Sequence, residues 1–129
     1  MDKTFYITTP IYYPSAKPHM GHAYSSIIAD FFARFKKMDG FNVYFLTGTD
    51  EHGLKIQRAA EKKGVDPQKF CDEISQTFRS LSKTLNLTNT DFIRTTEERH
   101  KISVQNIWNV LEKNDDIYLS NYSGWYSVS

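Results

Sequence analysis

The sequence predicts an α/β fold built on a parallel sheet, and three observations support this class. Short runs rich in β-branched and aromatic residues alternate with longer amphipathic runs, which is the pattern of strands joined by helical crossovers. The run at residues 41–46 is apolar at nearly every position, as expected for a parallel strand covered on both faces. The chain has 129 residues, 40% of them hydrophobic, which is enough for one domain with a core.

Charge and cysteine content narrow the possible functions. The 16 basic and 15 acidic residues nearly cancel, so there is no overall basic footprint for nucleic acid. The single cysteine, Cys71, can form neither an intrachain disulfide nor a cysteine-based zinc site, and no metal site is expected here. No signal peptide and no apolar span of ~20 residues is found. We therefore expect a cytoplasmic protein without a membrane partner.

The first part of the chain predicts a strand, a loop, a helix and a second strand. Residues 5–9 favour a strand, and residues 10–18 form a loop that contains three prolines and is therefore stiff. Residues 21–38 predict a helix, and strand 41–46 then leads into the polar segment 47–53. Bulky residues at helical spacing predict a buried stripe on the helix, namely Tyr24, Ile27, Ile28, Phe31, Phe32, Phe35 and Met38.

Two further helices and a third strand are expected downstream. One helix ends at Gly64, and Asp66 with Pro67 reads as the N-cap and first residue of the next. Residues 91–94 predict a third short strand. The buried stripe of the second of these helices is expected to contain Phe70, Ile74, Phe78, Leu81 and Leu85, and Cys71 is expected to be a small core residue.

The last part of the chain predicts a helix followed by strands. Thr95 and Glu98 have the spacing of a capping box, and the helix that follows contains Val104, Trp108 and Leu111. Residues 117–119 and 124–128 then read as two strands. We interpret the chain as a truncated segment, since it stops inside the second of these strands.

The turn Pro18-His19-Met20-Gly21-His22 is the first candidate site. A helix that follows the first strand of an α/β sheet offers free N–H groups and a positive dipole end to phosphate. His19 and His22 would lie on one side of the first turn and could donate to phosphoryl oxygens, and Gly21 leaves room for a base or ribose. The alternative is that both histidines only cap and solvate the helix end.

The second candidate is Asp50, within the segment 49–53 that follows the second strand. Ligands of open α/β sheets bind outside the carboxyl ends of strands, where a carboxylate could pair with a substrate ammonium group. The alternative is that Asp50 caps the next helix.

The loop after the first strand is the third candidate. Ile11 and Tyr13 could form the walls of a substrate pocket, and Ser15 and Lys17 could contact phosphate. The alternative is that Ile11 and Tyr13 pack internally. For Lys17 we favour the simpler interpretation of an exposed, solvated lysine.

These segments together resemble one enzyme family. Residues 9–14 followed by 18–24 are similar to the HIGH-type signature of bacterial methionyl-tRNA synthetases, and residues 45–53 are similar to their second conserved block. The segment Gly124-Trp125-Tyr126 resembles the entry to their connective insertion. The HIGH-type element alone would indicate class I synthetases or nucleotidylyltransferases. The two blocks together indicate methionine, and the resemblance covers about residues 4–129.

The resemblance implies a Rossmann-like sheet that forms the first half of a class I catalytic domain. Residues 1–116 would belong to that half, and residues 117–129 would begin a β-containing connective insertion. The implied substrates are methionine, ATP with Mg²⁺, and tRNA(Met), whose contacts would lie mostly outside this segment. Zinc is not supported by the residues present.

The resemblance also assigns roles to individual residues. His19 and His22 would be catalytic and would bind ATP together with Tyr12, Tyr13 and Gly21. Four residues would bind methionine, with Asp50 holding its ammonium group and His52 acting less directly: Ile11, Tyr13, Asp50 and His52. Two departures are noted, since Met20 replaces isoleucine in the signature and Ser15 stands where asparagine is frequent.

Several functional alternatives remain open at this point. The lysine-rich signature loop of the family has no match in the chain, so we expect the segment alone to be inactive in aminoacylation. The rival interpretations are a small nucleotidylyltransferase, a non-catalytic nucleotide-binding module, and a class I synthetase for another aliphatic amino acid.

Overall fold

The computed structural model describes residues 3–125 and residue 127. Within these residues it contains three strands and four helices, which confirms the predicted α/β class. In chain order these are β1 (Thr4–Thr8), α1 (Met20–Met38), β2 (Asn42–Thr49), α2 (Leu54–Lys63), α3 (Pro67–Thr84), β3 (Asp91–Arg94) and α4 (Glu98–Lys113).

The three strands form one parallel sheet in the order β1-β2-β3. Thr8 pairs with Leu46 at the end of β1, and Thr49 pairs with Arg94 at the end of β3. Gly48 is required where β2 meets β3, because a Cβ at this position would lie 2.0 Å from the carbonyl oxygen of Ile93. The parallel arrangement brings the carboxyl ends of all three strands to one edge of the sheet, where the loops that carry the candidate residues begin.

Helices α2 and α3 cover the larger of two apolar clusters. Asp66 caps α3 by accepting hydrogen bonds from the backbone N–H groups of Gln68 and Lys69, as predicted. In the predicted stripe of α3, Leu81 and Leu85 are half-buried, and the other members are buried. The cluster contains Tyr12, Ile56, Ala60, Phe70, Cys71, Ile74, Phe78 and Phe92, so the stripe and the core position of Cys71 are confirmed.

The predicted buried stripe of α1 is wrong. All seven of its bulky side chains are exposed. The helix instead packs on the sheet through small residues, since Ala29 and Ala33 contact Phe45 of β2. The buried residues of α1 are Ala23, Ser26, Ala29, Asp30 and Ala33. They also recur at helical spacing, so periodicity alone could not tell which of two interleaved stripes packs. Small side chains let the helix backbone approach the strands closely.

Two predictions in the last part of the chain are also wrong. Helix α4 begins at Glu98 after Glu97, with no side-chain capping bond, because the Thr95 hydroxyl accepts a hydrogen bond from Glu51 N–H instead. Residues 117–119 form no strand. A strand needs a hydrogen-bonding neighbour, and the Tyr118 and Leu119 side chains are fully exposed.

The final predicted strand, 124–128, is only partly within the described residues. Gly124, Trp125 and Ser127 are not in a strand, and residues 126 and 128 lie outside the described part. Among the described helices, none has the length and apolar character needed to cross a membrane.

Candidate functional site

The loop after β1 is held against the end of β2 by backbone hydrogen bonds. Tyr12 N–H donates to the Gly48 carbonyl at 2.9 Å, and Asp50 N–H donates to the Tyr12 carbonyl at 2.8 Å. Tyr12 also forms an isolated parallel bridge with Thr49. Tyr12 is therefore paired with β2 although it lies beyond the end of β1. This pairing fixes the positions of its chain neighbours, Ile11 and Tyr13.

The Tyr12 side chain lies beneath the candidate site. It is 4% exposed, its hydroxyl bonds Ser26 Oγ, and its ring stacks on Phe78 with the centroids 5.2 Å apart. The edge of the His22 ring meets it, also at 5.2 Å. The expected contact between Tyr12 and ATP stays a prediction.

Two histidines cap the start of α1 reciprocally. We call residues 18–22 the histidine turn. His19 is the N-cap, and its Nδ1 accepts a hydrogen bond from Gly21 N–H at 3.0 Å. His22 Nδ1 accepts one from His19 N–H at 3.1 Å. An imidazole nitrogen that accepts cannot carry the proton in the neutral ring, so in each histidine the proton is on Nε2. Neither Nε2–H group donates to another residue in the described part of the chain, so both can donate to a ligand.

The two imidazoles of the histidine turn lie against each other, with ring centroids 3.9 Å apart. Burial lowers the pKa of His22 below its ordinary value of 6.5, and the neighbouring His19 lowers it further. His22 therefore remains a neutral Nε2–H donor at neutral pH.

Gly21 makes this cap possible. A Cβ at this position would lie 2.9 Å from Cε1 of His19, which is closer than real Cβ atoms approach. The space left by the missing side chain is thus used by the His19 ring. The expected contact between Gly21 and adenosine stays a prediction.

A cavity of about 240 Å³ opens beside the histidine turn. Ile11 and Tyr13 contribute exposed side chains to it, and the structure brings six of the candidate residues together: Ile11, Tyr13, Ser15, Lys17, His19 and His22. The complete lining is Ile11, Tyr13, Ser15, Ala16, Lys17, His19 and His22. Asp50 and His52 are not part of this lining.

Asp50 lies at the end of β2, next to the loop that carries the cavity walls. It is half-buried, and its Oδ1 accepts weak hydrogen bonds from His52 N–H at 3.4 Å and from the Thr95 hydroxyl at 3.5 Å. Oδ2 accepts no hydrogen bond from any described residue. A carboxylate with this spare capacity can accept from a cationic ligand.

His52 points toward a different cavity. Its Nε2–H donates to the Thr95 carbonyl at 3.2 Å. The cavity that it lines has a volume of about 220 Å³ and is shared with Thr95 and α4 residues: His100, Lys101, Val104 and Gln105. His52 is therefore placed to support the end of β2 and does not line the cavity of the histidine turn.

Glu51 was not predicted as a site residue, yet it is the most strongly bonded of residues 50–52, which we call the acidic tip. Its side chain is fully buried and paired with Arg94, whose Nε lies 2.7 Å from Oε1 and whose Nη2 lies 3.0 Å from Oε2. The hydroxyls of Thr49 and Thr96 also donate to the carboxylate. No local pattern marks this group, because the partners lie up to 45 residues away.

Arg94 links the acidic tip to α3 as well. Its Nη2 lies 2.6 Å from Oδ1 of Asp72. The carboxylates of Glu51 and Asp72 both raise the pKa of the Arg94 guanidinium. The described residues contain no group of three or more His, Cys, Asp or Glu side chains that could hold a metal ion.

Comparisons with known proteins identify the family of the chain. The family profile "tRNA synthetases class I (M)" matches residues 5–129. A methionine–tRNA ligase of Listeria monocytogenes is 56% identical over 126 residues, which is 98% of this chain and 19% of that protein. The chain thus spans about a fifth to a quarter of the length of such relatives.

Solved structures match over almost the whole chain. The Mycobacterium tuberculosis methionyl-tRNA synthetase bound by methionyl-adenylate superposes with a TM-score of 0.92 and 48% identity, covering 98% of this chain and 25% of that one. A leucyl-tRNA synthetase, in a ternary complex from Agrobacterium radiobacter K84, has a TM-score of 0.78 and 26% identity over 91% of this chain and 15% of that one. With its Rossmann-like parallel sheet and the match over residues 5–129, the chain belongs to the class I tRNA synthetase family, in its methionine group.

Proposed function

We propose that this chain forms the first half of the catalytic domain of a methionine–tRNA ligase. The enzyme would activate methionine with ATP to methionyl-adenylate and then transfer it to tRNA(Met). The observation that carries the proposal is the reciprocal histidine cap, which uses Nδ1 of two histidines that line a cavity together with Ile11 and Tyr13. The methionyl-adenylate bound by the Mycobacterium relative supports this choice of substrates.

In the first step a methionine carboxylate oxygen would attack the α-phosphorus of ATP. A bond forms between that oxygen and phosphorus, the bond from phosphorus to the pyrophosphate oxygen breaks, and no proton has to move. Negative charge increases on the α-phosphoryl oxygens as the phosphorus becomes pentacoordinate. The Nε2–H groups of His19 and His22 would stabilise this charge, and they can do so without reorganising because both rings are already fixed by their Nδ1 bonds.

Binding of methionine would use the residues next to the histidine turn. Ile11 and Tyr13 would contact the amino acid as pocket walls, and Asp50 would accept hydrogen bonds from its ammonium group through the unoccupied Oδ2. His52 would act indirectly by holding the end of β2 against Thr95. The Tyr12 ring would also support His22 from below.

ATP contacts are assigned to the exposed faces of the same turn. The residues that would contact the nucleotide are Tyr12, Tyr13, His19, Gly21 and His22. Mg²⁺ would enter with the ATP phosphates, as is usual for this ion. No step above depends on the metal.

In the second step a ribose hydroxyl of the terminal adenosine of tRNA would attack the carbonyl carbon of the adenylate. The ester bond forms, the bond from the carbonyl carbon to the phosphate oxygen breaks, AMP leaves, and the hydroxyl proton passes to the phosphate or to water. Residues 1–116 would belong to the nucleotide-binding half and residues 117–129 to the start of the connective insertion, so tRNA contacts are assigned mostly to regions outside this segment.

The test is methionine-dependent exchange of pyrophosphate into ATP, measured on the complete gene product that contains this chain. We expect His22→Ala to reduce the exchange rate by about 10²–10³-fold, the size found when one donor to a transition-state oxyanion is removed. His100→Ala is the matched control, because it removes a histidine outside the cavity of the histidine turn.

Exchange that is equally fast in His22→Ala and in the wild type would refute the role of the histidine turn. Exchange that depends on a different amino acid would refute the substrate. The 129-residue chain by itself is expected to show no exchange.

A further inference from the structure

We propose that Arg94 and Thr95, at the end of β3, are positioning residues that set the methionine-binding geometry of the acidic tip, with the buried Glu51 as the group through which Arg94 acts. The inference rests on the proposed function. Arg94 and Thr95 neither line the cavity of the histidine turn nor belong to the two sequence blocks that identify the family.

The acidic tip and the end of β3 are joined almost residue by residue. Arg94 binds the Glu51 carboxylate through two nitrogens. The Thr95 hydroxyl accepts from Glu51 N–H at 2.8 Å, and the Thr95 carbonyl accepts from His52 at 3.2 Å. Thr95 N–H donates to the Thr49 carbonyl at 3.1 Å and so continues the ladder of the sheet beyond its last strand residue.

Burial shows that Glu51 is the fixed point of the acidic tip. Its side chain is 0% exposed, whereas Asp50 is half-buried and His52 is exposed. Because Glu51 is held inward, its two neighbours are directed away from the core. A shift of the Glu51 backbone would therefore move the Asp50 carboxylate, which the proposed function places on the ammonium group of methionine.

Stability alone is a weak reason to keep this ion pair. Removing two charges from water is costly, and replacing a buried pair by apolar residues of similar volume is often neutral or stabilising. A carboxylate held by Arg94, Thr49 and Thr96 from three directions has instead one defined orientation. The neighbouring Asp50, which is proposed to bind methionine, needs such a defined orientation. Small displacements of binding groups reduce activity strongly.

Helix α3 connects this positioning pair with the histidine turn. Asp72 of α3 binds Arg94, and Phe78 of the same helix packs against His22 with ring centroids 5.0 Å apart. Cys71 of α3 donates its S–H to the Glu51 carbonyl at 3.8 Å. Both parts of the proposed site thus rest on one helix, while only the acidic tip also depends on β3.

The experiment compares the Michaelis constants for methionine and ATP in pyrophosphate exchange by the complete gene product. Thr95→Val keeps the side-chain volume but leaves the buried N–H of Glu51 without an acceptor. We expect the KM for methionine to rise about tenfold, as for the loss of one buried hydrogen-bond partner, with the KM for ATP unchanged. Thr95→Ser restores the hydroxyl and should return the KM for methionine to within about twofold of wild type.

Arg94→Lys is the second variant, because lysine keeps the charge but cannot bind the carboxylate with two fixed donors. It should also raise the KM for methionine selectively. Arg99→Lys, which alters an exposed pair with Asp91, is the matched control and should change neither constant.

The outcomes separate this inference from the proposed function. Wild-type exchange that needs methionine, together with variants that lower kcat or raise both Michaelis constants equally, would overturn the positioning role and leave the function standing. A wild type that shows no methionine-dependent exchange would overturn the function and the inference together. A selective rise in the KM for methionine that serine rescues supports both.

Discussion

The histidine turn and the acidic tip are two parts of one proposed site, but they are held in different ways. The hydrogen bonds that orient His19 and His22 join residues two or three positions apart. Most of those that hold Glu51 join residues 43 to 45 positions apart, and the two exceptions are Thr49, two positions away, and Cys71, 20 positions away. The hydrogen bonds of the histidine turn are therefore local to the first turn of α1, whereas those of the acidic tip require β3 to be paired with β2.

This difference explains why the two parts carry different kinds of residues. A self-contained cap can leave its outward Nε2–H groups free for a ligand, because its structural bonds use only Nδ1. The acidic tip instead divides the tasks: Glu51 is committed to structure, and Asp50 keeps unused acceptor capacity. Variants that damage one part and leave the other intact can test the division.

Arg94→Met is expected to have the largest effect on stability. It leaves the fully buried Glu51 carboxylate without its cation, which should lower the free energy of unfolding by about 3–5 kcal/mol. Urea denaturation followed by circular dichroism measures this change. Arg99→Met is the control, and because its ion pair is exposed we expect a change within about 1 kcal/mol. Equal losses in the two variants would show that the Glu51–Arg94 pair contributes no more to the free energy of unfolding than an exposed ion pair.

Gly48→Ala should separate β2 from β3 and affect the acidic tip selectively. The new Cβ would meet the Ile93 carbonyl oxygen at 2.0 Å, and overpacking of this kind costs about 1–3 kcal/mol. Amide hydrogen exchange should become faster at Thr95, whose N–H bonds Thr49. Exchange at Gly21, whose N–H bonds His19, should stay the same. Faster exchange at Gly21 as well would contradict the independence of the histidine turn.

His19→Ala should reduce stability by about 1 kcal/mol, the usual cost of losing an N-cap side chain. His19→Asn keeps an N-cap acceptor and should retain most of that stability while still losing exchange activity, because asparagine cannot place a donor where Nε2–H lies. Thermal unfolding and pyrophosphate exchange on both variants separate capping from catalysis. Full activity in His19→Asn would reduce His19 to a structural cap.

The pKa of His22 provides the smallest and most local test. Since burial and His19 lower it below 6.5, the unfolded chain takes up a proton first as the pH falls. His22 therefore adds nothing to the pH dependence of stability above about 6.5 and reduces stability as the pH falls from 6.5 toward its lowered pKa. In His19→Asn the pKa of His22, followed by NMR, should rise but stay below 6.5, because burial is the larger cause. An unchanged pKa would show that the two rings do not interact.

The same contrast decides how much could be predicted from the sequence. The three strands and four helices of the structure follow from short-range sequence patterns, and all seven were predicted on that basis. The Asp66 cap and the α3 stripe follow the same logic. The histidine turn was predictable because all of its bonds lie within one short motif.

The errors arise where the answer depends on distant residues. The bulky stripe of α1 and the small stripe of Ala23, Ala29 and Ala33 have equal periodicity, and only the approach of the sheet selects the small one. Thr95 has capping-box spacing, but its hydroxyl is used by Glu51 from another strand. The position of His52 away from the cavity of the histidine turn likewise depends on the path of β3 and α4.

The central claim is that the histidine turn binds the phosphoryl group and the acidic tip binds the ammonium group of one ligand. A crystal structure of the complete gene product with a non-hydrolysable methionyl-adenylate analogue tests it directly. We predict Nε2 of His19 or His22 within hydrogen-bonding distance of the oxygens that replace the α-phosphate, and an Asp50 carboxylate oxygen within the same reach of the ammonium nitrogen. An analogue bound with its ammonium group away from Asp50, or with no contact to either histidine, would contradict the claim.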